Sequence, residues 1–244
     1  MDFSKYKFRC SALGNIISKS GKMTQGVQTY LQEIFIEETT GIRKQVSSKY
    51  FDKGDLCEQN AMQILQEALY PNSFVRAFKT KLSNDFVQGT LDVDMPDYLY
   101  DIKNAYDRFT FGKAECTWDY EWQVKAYLWL KGKAKGRLFY TLCDMPEELI
   151  QEEERKLFYI LRPKPLSFDS QDYLDACEEL RRTLDFSQMQ LHERFKIWDI
   201  ELTENDIEIM KNSVNVAREY LAKLNEEQQF LHAKNLGLML NARK

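Results

Sequence analysis

Apolar positions change their spacing along the chain, and the change divides it into helical and extended stretches. Over residues 24–38, Val27, Tyr30, Leu31, Ile34 and Phe35 recur three and four residues apart, the spacing of one helix face. Residues 52–69 repeat the pattern with Leu56, Ala61, Ile64, Leu65, Ala68 and Leu69, and Pro71 follows as a stop. Earlier, residues 11–18 space Leu13, Ile16 and Ile17 as a short helix with Ser11 at its N-cap, broken by Ser20-Gly21-Lys22. The spacing then shortens. Residues 74–78, 86–93 and 98–103 are rich in β-branched and aromatic side chains and are separated by Asn, Asp and Pro, which predicts three strands. A helix over 118–131, carrying Trp122, Tyr127, Leu128 and Trp129, leads through a basic turn bracketed by Gly132 and Gly136 to a strand at 137–142. Charged helical patterns occupy 147–160 and 170–193, residues 195–200 read as a strand, and 203–234 form a long terminal helix capped at Thr203, with Asp206 three residues on. Helices flanking a small mixed sheet make an α/β fold.

Composition narrows this only a little. A chain of 244 residues can bury one good-sized core, in one or two domains. With 43% hydrophobic and 30% charged residues it has the make-up of an ordinary soluble protein, and no apolar run approaches the length of a membrane span. No apolar stretch follows the charges of Met1-Asp2-Phe3-Ser4-Lys5, so no signal peptide is expected and the expected location is the cytoplasm. Cys10, Cys57, Cys116, Cys143 and Cys177 are odd in number and scattered, without a CxxC pair. That argues against a disulfide framework, a zinc site or an iron–sulfur cluster, and leaves buried or idle thiols.

A net charge of −4 looks wrong for a nucleic-acid binder, but its distribution is uneven. Residues 1–50 hold eight Lys/Arg against four Asp/Glu, and 103–137 hold the same numbers. Residues 144–156 are acidic, with Asp144, Glu147, Glu148, Glu152, Glu153 and Glu154 against Arg155 and Lys156. A basic and an acidic surface can therefore coexist.

The chemistry lies in Gly89-Thr90-Leu91-Asp92 followed by Asp101-Ile102-Lys103. On a strand, residues two apart face the same way, so Asp101 and Lys103 project together. A hairpin turning at Pro96-Asp97 brings Asp92 beside them. Two converging carboxylates form a hard-oxygen site that suits Mg²⁺ or Mn²⁺. A lysine beside it can orient or deprotonate a water, or stabilise charge on a phosphate, which is the chemistry of metal-assisted phosphodiester hydrolysis. A lone DxK in a strand is common. Here Gly89 permits close backbone approach, Glu58 on the amphipathic helix can supply a third carboxylate, and Gln123 lies on a later helix with Tyr127 one turn on.

The order Glu(helix)…GxxD…DxK…Q(helix) resembles the PD-(D/E)XK nuclease superfamily, and more closely its phage lambda exonuclease and YqaJ-like recombinase branch. The landmarks are Cys10-Ser11-Ala12-Leu13, Ser20-Gly21-Lys22, the stretch from Lys53-Gly54 through Glu58 to Ala61, Gly89 to Asp92, Asp101-Ile102-Lys103, and Tyr120 to Tyr127 with its Q-V-x-x-Y. The likeness covers most of 8–143 and resumes over 195–225. It departs at Leu91, where proline often precedes the aspartate, and at 148–192, which read as a helical insertion within a single nuclease domain spanning 1–244. The resemblance implies a restriction-endonuclease-like core. It also implies two Mg²⁺ or Mn²⁺ ions held by Asp92, Asp101, Glu58 and the main-chain carbonyl of Ile102, with Lys103 and Gln123 as further catalytic residues. It implies 5′→3′ digestion of double-stranded DNA from its ends in phage-type recombination, a homo-oligomeric ring such as a trimer, and a single-strand annealing protein as partner. A pocket for the 5′-phosphate falls at the start of the first helix, at Ser11, with Arg9 the nearest cation because the family's arginine has no equivalent at its own position. An endonuclease or structure-specific nuclease of the same superfamily, or a non-catalytic DNA-binding or assembly protein on that fold, are the alternatives. The complete Asp92, Asp101 and Lys103 set speaks against the last.

Overall fold

The computed structural model describes residues 1–44, 53–54, 56–165 and 167–241. The chain enters through strand β1 (Phe8–Arg9) and passes directly into a 3-10 helix over Cys10–Asn15. The N-cap is Arg9, with no side-chain capping bond, so the expected α-helix capped by Ser11 is corrected to six residues of tighter helix. Cys10, Leu13 and Ile16 are all buried at intervals of three, which matches three residues per turn. Helix α1 (Gln25–Thr40) follows, capped by the Thr24 hydroxyl and closed by Gly41 at φ 71°, a left-handed position that favours glycine. Helix α2 (Glu58–Leu69) buries Ala61, Ile64 and Leu65. Its expected start falls in a stretch of which residues 45–52 and 55 lie outside the described residues.

The strands form two small sheets among the described residues, where the sequence suggested one. In the first, β3 (Val87–Gly89) lies between β1, to which it is parallel, and β2 (Leu82–Ser83), to which it is antiparallel. The second has the order β4 (Val93–Asp94), β5 (Leu99–Asn104), β6 (Lys135–Thr141), β7 (Phe195–Glu201). Its β5 and β6 run parallel, with antiparallel neighbours at either edge. The stretch expected as one strand over 86–93 thus breaks between Gly89 and Val93, and its halves join different sheets. Residues 74–78, expected as a strand, contribute only the bridge of Ala77 to Val93 and a bond from the Phe78 N–H to the Asp92 carbonyl at 2.7 Å. Phe74 is 72% exposed, so that apolar run is not an inward row.

Parallel neighbours need a crossover, and here it contains α3 (Arg108–Gly112) and α4 (Trp118–Lys131). Alternation along β5 then sorts its side chains. Leu99 packs into the core shared with α4, where Val124, Leu128 and Leu138 meet the 3-10 turn and the terminal helix α7 (Glu204–Asn241). Tyr100 packs on the other face with Phe139 and with Ala61, Ile64 and Leu65 of α2. At Gly136 and Gly89 the sheets approach α4 closely. A Cβ on Gly136 would lie 2.9 Å from Val124, and one on Gly89 would lie 2.8 Å from Tyr127. Asp101 and Lys103 share the side of Leu99, so both face α4.

Between β6 and β7 the chain makes α5 (Glu147–Ile160) and α6 (Gln171–Leu184), which pack on each other. Arg181 of α6 pairs with Glu147 and Glu154 of α5, so part of the acidic run is neutralised within the hairpin. The second helix stops at Leu184, short of the expected 193. Phe186 turns inward against Ala105, Tyr140 and Leu142, and its N–H donates to Asp144 Oδ1 at 2.6 Å.

Candidate active site

Asp101 and Lys103 stand on β5 where alternation along the strand directs them, towards α4. Asp101 is 1% exposed. Its Oδ1 accepts from Gln123 Nε2 at 2.7 Å, and its Oδ2 lies 2.8 Å from Lys103 Nζ. That second contact is an ion pair, and it is the one polar neighbour of a fully buried oxygen among the described residues. Asp92 arrives from the break between β3 and β4. Its Oδ2 accepts the Ile102 N–H at 2.6 Å, which fixes the carboxylate at the edge of β5. In an extended strand a residue's N–H and C=O point to the same edge, so the Ile102 carbonyl is directed towards the Asp92 side.

The charges react to this crowding. Burial, and next the charge of Asp101, push the Asp92 carboxyl up to about 7, against the pull of Lys103 and the Ile102 N–H. Burial likewise raises Asp101, with Lys103 opposing. For Lys103, burial favours the neutral amine, but Asp101 and then Asp92 outweigh it and hold the ammonium above its ordinary value. A buried and a half-buried carboxylate whose charges act on each other make an arrangement that a hard divalent cation would relieve.

Glu58, the first residue of α2, is exposed but close enough for its charge to raise Asp92 further. The described residues contain no group of three or more His, Cys, Asp or Glu side chains gathered as a metal cage. The structure therefore brings together Asp92, Asp101, Lys103 and Gln123 and leaves Glu58 at the margin. Gln123 reaches the Asp101 carboxylate rather than Lys103 or a position beyond it. Tyr127, one turn on, is buried beside Gln123, and its hydroxyl is raised by burial and then by the charge of Asp101.

Arg9 and Ser11 flank Cys10. The Cys10 side chain would lie 3.1 Å from a Cβ on Gly89, and its thiol is raised by burial and, less, by Asp101. Both residues are exposed, and the charge of Arg9 acts on Tyr6 and Tyr30. A six-residue 3-10 turn offers free N–H groups but only a fraction of a full helix dipole.

Two neighbours escape a reading of the sequence. Tyr120 places its ring centroid 5.4 Å from Lys103 Nζ. Its signal was present, since Tyr120, Gln123 and Tyr127 recur at i, i+3 and i+7 on one helix face. Lys53 has no such signal. It is 1% exposed, and its ammonium donates to the carbonyls of Tyr106 at 3.0 Å and Cys143 at 2.7 Å, fastening the chain before α2 to the ends of β5 and β6.

No protein-family model and no curated protein matches the chain. Solved structures do. A phage-related exonuclease from Haemophilus somnus 129PT superposes with a TM-score of 0.71 at 20% identity, over 92% of this chain and 97% of that one. The alkaline exonuclease LHK-Exo from Laribacter hongkongensis gives a TM-score of 0.57 at 14% identity, over 96% of each chain. LHK-Exo in complex with dAMP gives 0.56 at 15%, over 95% of this chain and 94% of that one. The chain has the fold of these exonucleases.

Proposed function

We propose that this chain is a metal-dependent deoxyribonuclease of the PD-(D/E)XK type that hydrolyses double-stranded DNA from its ends. The observation that carries the reading is the convergence of half-buried Asp92 and buried Asp101 beside Lys103, on a fold whose solved examples include two exonucleases. One of them is seen with dAMP, a mononucleotide of the kind that exonucleolytic hydrolysis releases.

Asp92, Asp101 and the Ile102 carbonyl would hold Mg²⁺ or Mn²⁺, with Glu58 completing a second site. Such ions, when bound, supply Lewis-acid stabilisation of a phosphate and acidify water. The protein's own groups do the positioning. Gln123 holds the Asp101 carboxylate in one orientation. Lys103, kept charged by both aspartates and backed by the Tyr120 ring, offers an ammonium to a water or to the scissile phosphate. Arg9 and Ser11 are assigned to the 5′-phosphate by family resemblance, and 5′→3′ digestion follows from that assignment. The ring trimer, the annealing partner and the recombination role belong to the same reading and rest on family resemblance.

Linear duplex labelled at either strand end, and a covalently closed plasmid, test this together in Mg²⁺ and in EDTA. We expect 5′ label to be released first, faster from a 5′-phosphate than a 5′-hydroxyl end, with the plasmid intact and EDTA abolishing turnover. Cleavage of the closed plasmid would make the protein an endonuclease, and release of 3′ label first would overturn the polarity.

A further inference from the structure

Beside Lys103 the surface opens into a cleft of about 380 Å³, within the roughly 300–1,000 Å³ typical of small-ligand sites. Its inner wall is Tyr120 and Tyr140, with ring centroids 6.4 Å apart. Because the Lys103 ammonium also lies against the Tyr120 ring, cleft and candidate catalytic lysine share a wall. The outer wall is α3 and the turn after it, with Phe109, Thr110 and Lys113.

Phe109 is 81% exposed. The segment that carries it is held by other groups. The Asp107 carboxylate accepts the Thr110 N–H at 2.7 Å. Lys196 Nζ donates to the carbonyls of Phe111, Gly112 and Ala114 at 2.7, 3.0 and 3.3 Å. Arg108 lies over the Phe186 ring at 5.5 Å. A braced platform thus presents an aromatic ring to water at the mouth of a cleft, although an apolar ring of that size is favoured by burial.

We propose that this cleft receives the base of a terminal, unpaired nucleotide of the DNA, stacked on Phe109, while its phosphate lies towards Lys103. The assignment rests on the nuclease reading above. The rim chemistry favours a base inside and phosphate outside. Asp107 and Glu115 line the cleft and would repel a phosphate placed within it, Thr110 and Thr117 offer hydroxyls to base edges, and Lys113 supplies a cation at the mouth. Stacking tolerates every base, as an enzyme that digests DNA regardless of sequence requires.

The test measures equilibrium binding of short duplexes whose terminal nucleotide, on one strand or the other, is intact or abasic. Ca²⁺ replaces Mg²⁺ to hold back turnover, and Mg²⁺-dependent hydrolysis by the wild type is followed separately. Phe109→Ala should weaken binding of the intact end about tenfold, the order expected for one lost stack. It should leave the abasic end unchanged, and Phe109→Trp should restore the preference. Phe230→Ala, which removes a ring 70% exposed on the terminal helix, should have no effect. If Phe109→Ala distinguishes intact from abasic ends as the wild type does, or if Phe230→Ala costs as much, the proposal is overturned. A wild type that prefers intact ends through Phe109 yet shows no hydrolysis would support the cleft and refute the nuclease reading.

Discussion

A carboxylate taken out of water costs several kcal/mol unless partners replace the lost hydration. Asp101 has two such partners in Gln123 and Lys103, while Asp92 has one main-chain N–H and a like charge nearby. The strain therefore settles on Asp92, whose carboxyl is pushed from its ordinary 3.8 up to about 7. Its folded-state value lies above its unfolded one, so its contribution to stability is full below about pH 3.8 and is lost as the pH rises through about 7. Without divalent metal, thermal unfolding of the wild type should lose ground against Asp92→Asn across that window, and Mg²⁺ should recover much of the difference at the alkaline end. Identical pH profiles for the two proteins would show that Asp92 is not strained. Lys103 has a different expected signature. It is an ammonium at all working pH values, so Lys103→Met should lower turnover about 10²–10⁴-fold, the usual cost of removing a positioned catalytic group, with little change in affinity for duplex. A steady-state comparison showing full activity in that variant would remove Lys103 from the chemistry.

Strand alternation is the reason Asp101 and Lys103 were legible from the sequence. On β5 the period of two directs both towards α4 whatever the rest of the fold does, and helical spacing in α4 sets Gln123 to meet them. Asp92 was legible only as a neighbour. That its strand breaks after Gly89 depends on β1 arriving from far earlier in the chain to claim β3, and two-residue strands are too short to show a period. The end of α6 was hidden for a similar reason, since nothing local marks Phe186 for burial against β6. The α5–α6 hairpin itself starts and finishes at one place, because the Met145 N–H donates to the Leu184 carbonyl at 3.2 Å. A short glycine linker replacing 147–183, with Phe186 kept, should therefore leave a folded protein that still binds Mn²⁺, as read by circular dichroism and calorimetry. A folded variant unable to bind Mn²⁺ would place the hairpin within the catalytic core.

Across the whole molecule, charge is arranged more tightly than the count of −4 suggests. Much of the basic run at 103–137 is tied up in ion pairs: Lys125 with Glu121 and Asp206, Lys131 and Lys133 with Asp94, and Arg137 with Asp199. Attraction for DNA would then come from local groups around the site, and binding should fall with added salt only as steeply as a few phosphate contacts require. No helix among the described residues is long and apolar enough to cross a membrane. Two sheets and a crossover carrying α4 meet around one pair of aspartates, and it is to this pair that we assign hydrolysis. The most direct measurement is Mg²⁺-dependent release of mononucleotides from end-labelled linear duplex by the wild type and by Asp101→Asn, with duplex affinity followed in parallel. Turnover by Asp101→Asn should fall at least about 10²–10³-fold with affinity preserved. Turnover by Asp101→Asn close to that of the wild type would contradict the assignment.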